Sequence, residues 1–423
     1  YNGAGSGDDY GLALFVKANG TVWMTGYSDG YAGAAINNNY LTVCYDNAGA
    51  LLFASSYDNN SNDYATALAV DANDNCIVTG RSNNSLDDDY ATVKYNSAGV
   101  QQWVKLYDSG NGNDRATAIC TDASGNVFIT GRSNNGTDDD FVTIKYNAAG
   151  TQQFLKAHDF GNGNDRATGI GLDGSGNLMV CGRVAGPLAD DVGLIQYNST
   201  NGNQIGIVTH SSPGSLNDRP YGMLVTNDGH SYIYGIADAN TGGTGTDYEM
   251  MLMRFNQTTF DYAKFYSGSA VNDDEAYGVA VDASGNAIVA GYSYETNTFK
   301  DGTWVKFNNS GTQVYVKHYN GIGDFTDKAN AIALDASGNS YSAGYAMMAG
   351  NDHDFLTTKY DAAGNILWSK TYDGTGNNTD EVNDMVVDAS GNVYVCGISK
   401  NASGNYDYLT VKYNSAGDTL WSA

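Results

Sequence analysis

Proline is nearly missing from this chain, at three residues in 423, and cysteine is sparse, at five. Cys44, Cys76, Cys120, Cys181 and Cys396 are odd in number and form no C-x-x-C pair, which argues against a disulfide framework or a thiolate metal site. Four lie inside apolar runs (LTVCYD, TAICTD, LMVCGR, VYVCGI) and Cys76 opens a fifth (NCIVTG). Small buried hydrophobes with no disulfide are the expectation. No apolar run reaches the roughly 18 residues of a membrane-spanning helix. Basic residues are few, 21 Lys and Arg against 47 Asp and Glu, for a net charge of −26. A surface this acidic repels phosphate backbones and anionic lipid, so nucleic acid and membrane surfaces are poor partners, and neither nucleic-acid binding nor membrane insertion is expected. Catalytic motifs are missing too: there is no G-x-S-x-G, no H-E-x-x-H and no glycine-rich phosphate loop before a helix. The five histidines, His158, His210, His230, His318 and His353, hold no common position. We therefore expect a non-enzymatic protein.

What is abundant is Gly, at 53, and Tyr, at 32, with Asn and Asp throughout. Gly, Asn and Asp tolerate tight turns and Tyr favours strands, so the composition suits turn-rich β-structure. The segment GNGNDRATAI at 110–119 returns as GNGNDRATGI at 161–170, and both belong to a repeat headed by Asp9, Asp63, Asp114, Asp165, Asp218, Asp274, Asp327 and Asp380. The steps are 54, 51, 51, 53, 56, 53 and 53, and the wrap from Asp380 through the chain end to Asp9 is 52. Each unit holds four short β-branched and aromatic runs, in the third unit RATAICTD, NVFITG, DFVTIKYN and TQQFLKAHD. These are too short for helices, and no helical periodicity appears. Turns such as ASGN and AAG join the first run to the second and the third to the fourth. Four antiparallel strands per unit of about 50 residues is the pattern of a propeller blade. The expected fold is all-β, a single eight-bladed propeller occupying residues 1–423. We expect blade 8 to come wholly from the C-terminal repeat, with residue 423 ending its outermost strand and Tyr1 beginning the connection into blade 1. Tyr1 falls mid-pattern, as in a natural chain that starts earlier.

The pattern DASGNVYVCG…DYLTVKYNSAGDTLW resembles the bacterial SBBP β-propeller repeat, and the likeness runs through essentially all of the chain. Units 4 and 5 fit least well, with LIQYN and LMRFN in place of VKYN and with Pro187, Pro213 and Pro220. The family name denotes seven blades, whereas this sequence counts eight. The resemblance implies a secreted or surface-displayed bacterial protein, a module of a longer chain or larger assembly, with no shared enzymatic activity.

Residues present in every unit serve architecture; residues present in a few break symmetry, as binding requires. The head Asp is in all eight units and reads as a cap on the entry turn, with a carboxylate ring for Ca²⁺ as the alternative. Gly26, Gly80, Gly131, Gly182, Gly235, Gly291, Gly344 and Gly397 end the second run in each unit, as close backbone approach demands. The connection from second to third run varies: SDGYAGAAINNN, NNSLDDD, ANTGGTGTD and AMMAGNDHD. This variable loop face is the expected site for a protein or glycan partner. Its acids, Asp87, Asp89, Asp138 and Asp140 among them, are oxygen ligands suited to a hard cation such as Ca²⁺, against the plainer reading of solvated loop charge. Six of the seven arginines occupy two repeat positions: Arg115, Arg166 and Arg219 follow the head Asp, and Arg81, Arg132 and Arg183 follow the universal Gly. Units 1, 6 and 7 carry Tyr27, Tyr292 and Tyr345 at the second position. Two readings stand: arginines paired with neighbouring aspartates, or a half-ring for an anionic ligand, with tyrosines stacking on sugar faces. The function expected is a binding or structural module. A lectin-like or polysaccharide-active propeller and a subunit of a surface assembly are the alternatives.

Overall fold

A computed structural model of the protein describes residues 1–3, 7–29, 37–161, 163–214, 217–238, 247–270, 272–296, 299–321, 325–348, 352–374, 376 and 378–423. Regular structure among these residues is entirely strand: 32 strands in eight four-stranded sheets, each in chain order and antiparallel. The protein is an eight-bladed all-β propeller. Blade 3 shows the common plan, with strands Arg115–Thr121, Val127–Asn134, Asp139–Tyr146 and Gln152–His158. Its first hairpin turns at DASGN, where the Asp122 carboxylate accepts the N–H groups of Ser124 and Asn126, both at 2.9 Å. Gly125 supplies the positive φ, 74°, that this turn needs.

The chain packs as two compact units, residues 57–265 and residues 1–56 with 266–423. In the first unit the apolar cores lie between consecutive blades. Ile77 and Tyr90 of blade 2 pack with Ile129 and Val142 of blade 3, and Phe128, Phe141 and Phe154 pack with Leu178, Val180 and Ile195 of blade 4. The second unit repeats the arrangement, with Tyr341 and Phe355 against Val393 and Val411, and Tyr394 and Tyr408 against Met24 and Val43. A blade has two apolar faces and no core of its own, so it is stable only with neighbours. The cysteines fit this scheme. All five are free, four of them are buried, and burial pushes the Cys120 and Cys181 thiols up to about 12.

Polar staples reinforce four junctions within the two units. The lysine of the V-K-Y-N motif is buried, and its Nζ reaches a turn carbonyl of the next blade: Lys94 to Ala148 at 3.3 Å, Lys145 to Ser199 at 2.7 Å, Lys359 to Ser415 at 3.3 Å and Lys412 to Asn47 at 3.1 Å. Trp103, Trp368 and Trp421 of the outer strands donate Nε1 to the same carbonyls of Ala148, Ser415 and Asn47. The inner strands are joined through a bulge. Thr117 is the extra residue in the pairing of blade 3's first two strands, and its Oγ1 donates to Ala167 O of blade 4 at 2.7 Å. Thr66, Asn330 and Asn383 do the same at 3.0, 2.7 and 2.8 Å.

The chain ends differ from expectation at one residue. Blade 8's outermost strand is Thr419–Ser422, as expected, but it is too short to cover the third strand, Tyr406–Tyr413. Ala423 pairs with Thr410, and Tyr1 then takes both backbone bonds of Tyr408, at 2.6 and 3.0 Å. An uncovered strand edge leaves polar groups to satisfy, and the N-terminal residue satisfies them.

The universal glycine generates a testable contrast. A Cβ on Gly131 would lie 2.0 Å from Arg115 O, inside the bulged pairing of the first two strands. A Cβ on Gly110, with φ 77°, meets nothing within 4 Å. In urea unfolding, Gly131→Ala is expected to cost about 3 kcal/mol or more, from backbone overpacking, and Gly110→Ala about 1 kcal/mol, from backbone strain alone. Equal costs would contradict the close-approach explanation.

Candidate functional site

The symmetry-breaking residues of both units occupy the strand ends at the blade-to-blade connections. The head aspartates organise that edge. All eight are buried. Asp114 accepts Ser109 N at 2.6 Å from the incoming connection and Asn134 N at 3.1 Å from its own second strand. Asp165 repeats this with Phe160 N and Ala185 N, and Asp274 with Gly268 N and Tyr294 N. The cap reading therefore matches the geometry. Burial pushes Asp63, Asp218 and Asp327 up to about 6, against the backbone and hydroxyl bonds that favour the charged form.

In the unit 57–265, the residue after the head Asp lies directly opposite the residue after the universal Gly. Tyr64 faces Arg81, Arg115 faces Arg132, and Arg166 faces Arg183. Like charges placed opposite repel, and aspartates resolve this. Asp88 Oδ2 takes Arg81 at 2.9 Å from its own blade and Arg115 at 2.7 Å from the next. Asp139 joins Arg132 and Arg166 in the same way, and Arg183 pairs with Asp190 at 2.9 Å. Five of the six arginines thus meet aspartates in a relay running from blade 2 to blade 4. Arg219 differs. It is exposed, sits 5.6 Å over the Tyr248 ring, and no carboxylate of the described residues lies within ion-pair distance.

In the other unit, Tyr27 stacks on Tyr10 with centroids 4.8 Å apart. Tyr292 donates its hydroxyl to Glu275 at 2.6 Å and lies under the Lys300 ammonium at 3.9 Å. Tyr345 stacks on His353 at 4.2 Å, and His353 Nδ1 contacts Glu381 at 2.9 Å. This edge is aromatic and of mixed charge, whereas the arginine edge is cationic. The loop stretches 30–36, 239–246 and 349–351, which belong to the expected variable face, lie outside the described residues.

Each D-D-D run divides its labour. Asp87 bonds the Asn84 amide at 2.9 Å, as Asp138 bonds that of Asn135 at 2.8 Å. Asp88 and Asp139 hold the arginines. Asp89 and Asp140, on the opposite strand face, stand with other carboxylates: Asp89 with Asp108 and Asp114, Asp140 with Asp159 and Asp165, each set lying within 4.8 Å. Neighbours in sequence titrate in opposite directions. Asp88 is held below the ordinary value: burial raises it, but the bonds from Asn83 and Arg81 and the nearby Arg81 and Arg115 charges outweigh that. Burial raises Asp89 to about 6, with the charges of Asp108, Asp87 and Asp114 adding to it. Asp108 and Asp159 are site residues that sequence reasoning missed; their signal was a fixed place, one residue past the fourth strand.

The fold places the chain among β-propeller proteins. No protein-family model matches it, and no curated protein does. It is similar to solved structures of Sqt1 from Chaetomium thermophilum, one of them bound to the N-terminus of the ribosomal protein L10, at 12% identity, TM-score 0.58 and coverage of 93% of this chain and 95% of that one. A europium-containing methanol dehydrogenase is similar at 11% identity, TM-score 0.57 and coverage of 94% and 84%. At such identities the likeness is one of fold.

Two outcomes are expected. Carboxyls raised to about 6 in the fold and near 3.8 unfolded, as at Asp63, Asp218 and Asp327, bind more protons folded than unfolded. Their contribution is complete below about pH 4 and lost as pH rises through about 6. The lowered carboxyls of Asp71, Asp88 and Asp335 act oppositely, losing stability as pH falls below 3.8. The thermal midpoint should therefore rise from about pH 7.5 to about pH 4.5 and fall at lower pH, and it should do so in about 0.5 M NaCl, where long-range repulsion is screened. A flat profile would refute the raised carboxyls. The second outcome concerns the relay: a double-mutant cycle of Arg132→Ala with Asp139→Ala should give a coupling of about 1 kcal/mol, above the few tenths of an exposed pair.

Proposed function

We propose that this single propeller domain is a non-enzymatic binding module of a secreted or surface-displayed bacterial protein, and that a protein segment is its partner. The SBBP-like repeat supports the setting. The observation that carries the binding reading is the contrast between the two ends of the blades. The hairpin turns repeat one design, with Asp122, Asp282, Asp335 and Asp388 each accepting N–H groups two and four residues on. The opposite end differs from blade to blade in charge, aromatic content and loop length. A rigid scaffold with one divergent edge suits recognition.

Two features favour protein over glycan. The tips of the second-to-third connections in blades 2 and 4 carry Leu86 and Leu188, 91% and 97% exposed. Arg219 has no carboxylate of the described residues within ion-pair distance, whereas the other five forks are paired with aspartates. Exposed apolar tips and a cationic fork on the same end of the blades match a protein surface with apolar and acidic side chains. The Sqt1 propeller bound to the N-terminus of a ribosomal protein is a propeller of like fold with a protein segment on it. A glycan reading rests on the tyrosines Tyr27, Tyr292 and Tyr345, whose rings stack on Tyr10, the Lys300 ammonium and His353 within the chain.

Selection of the full chain against a displayed random-peptide library, with a glycan array in parallel, tests this. Peptides with acidic and apolar residues should be enriched, and Leu86→Ser with Leu188→Ser and Arg219→Ala should weaken them at least tenfold while leaving the thermal midpoint within about 2 °C. Glycan binding unaffected by these changes, or peptides that map to the hairpin turns, would overturn the reading.

A further inference from the structure

We propose that three blade junctions are binding sites for a hard divalent cation, Ca²⁺ by its ligand chemistry, each built from three aspartates: Asp89, Asp108 and Asp114; Asp140, Asp159 and Asp165; and Asp354, Asp373 and Asp380. In each set the carboxylate oxygens lie within 4.8 Å of one another. The positions correspond. One acid lies in the first three residues of the third strand of a blade, one follows the end of its fourth strand, and one is the head Asp of the next blade. An ion there would tie a blade to its successor at the edge where the connection crosses.

Clustered acids alone do not make a site, and two further observations point to a ligand. First, Asp89 and Asp140 are 4% and 7% exposed, and the buried Oδ1 of each accepts no hydrogen bond, while Oδ2 takes the amide of Asn84 or Asn135. An unpaired carboxylate oxygen, buried beside two more carboxylates, lacks the compensation that burial requires. Second, the fold does not need the third acid. At three other junctions within the two units the residue at this place is neutral: Ser211, Asn320, and Asn2, which follows the Tyr1 that pairs with Tyr408 of blade 8. Where Ser211 stands, its hydroxyl donates to Asp191 Oδ1 at 2.6 Å, so the equivalent carboxylate is satisfied from within the protein. Architecture thus tolerates a neutral side chain at this position, yet three junctions carry an acid there beside a buried carboxylate oxygen that accepts no hydrogen bond, Asp89 Oδ1, Asp140 Oδ1 and Asp380 Oδ1. A cation accounts for both facts.

The ligand set is all oxygen, which selects a hard ion. Ca²⁺ at bonds of about 2.4 Å spans oxygens up to about 4.8 Å apart and fills its shell with water, whereas Mg²⁺ at about 2.1 Å spans only about 4.2 Å.

The test uses the full chain, stripped with EDTA and titrated with Ca²⁺ and, separately, Mg²⁺ by calorimetry and thermal melting. Three equivalents of Ca²⁺ should bind, more tightly than Mg²⁺, and raise the midpoint by about 9 °C at a hundredfold excess over Kd. Asp108→Asn, Asp159→Asn and Asp373→Asn reproduce a side chain that the fold already accepts at Asn320 and Asn2. Each should remove one equivalent, and the triple variant should bind none while melting in EDTA no lower than the parent. Ser replacements, after Ser211, serve if the Asn triple fails to fold. Absence of Ca²⁺ binding below about 1 mM, a stoichiometry unchanged in the triple variant, or tighter binding of Mg²⁺ would each overturn the proposal.

Discussion

The constraint on which the rest depends is the burial of a carboxylate at the head of every blade. Asp114 and its seven counterparts are removed from water, and the chain compensates them with backbone N–H groups from the incoming connection and, as at Asn134, the second strand. One side chain thereby fixes where a connection ends and at what angle the first strand enters. The bulge that follows brings the first strand against the second so closely that only glycine fits, and it turns Thr117 toward the next blade's backbone. Lysine and tryptophan staples then set the spacing of blades at the far end of the sheet. Each of these contacts links consecutive repeats, so stability is a property of neighbours rather than of single blades.

On this frame the symmetry-breaking residues acquire distinct physical tasks. The arginines stand opposite one another on paired strands, an unfavourable arrangement that Asp88 and Asp139 convert into bridges between blades. The cationic edge is therefore largely internally neutralised, and Arg219, with no carboxylate of the described residues within ion-pair distance, is its exception. One residue further along the same strands, the pleat sends Asp89 and Asp140 to the other side, where they meet acids instead of arginines. Adjacent aspartates thus serve opposite electrostatic ends.

Much of this was legible in the sequence, for a physical reason. Repeats of 51 to 56 residues with four short apolar runs admit few packings, and an eightfold count with recurring turns reads as eight blades. The cap role of the head Asp, the close approach at the universal Gly and the buried cysteines follow from residue type and invariance across the chain's own repeats. What the sequence left open was which of two plausible partners each charged side chain takes. Arg81 has several aspartates within a few residues, and only the strand register and the approach of the next blade select Asp88, which it shares with Arg115 from 34 residues away. Asp108 holds a fixed place in its repeat, but its neighbours Asp89 and Asp114 reach it only once the fourth strand and the following connection are in place. The bond of Tyr1 to Tyr408 spans 407 positions, beyond any local pattern. Local propensity and periodicity determine strands and turns because they act within a few residues. Pairing of charges is decided by tertiary structure, because Coulomb and hydrogen-bond energies depend on distances that only the packed blades set.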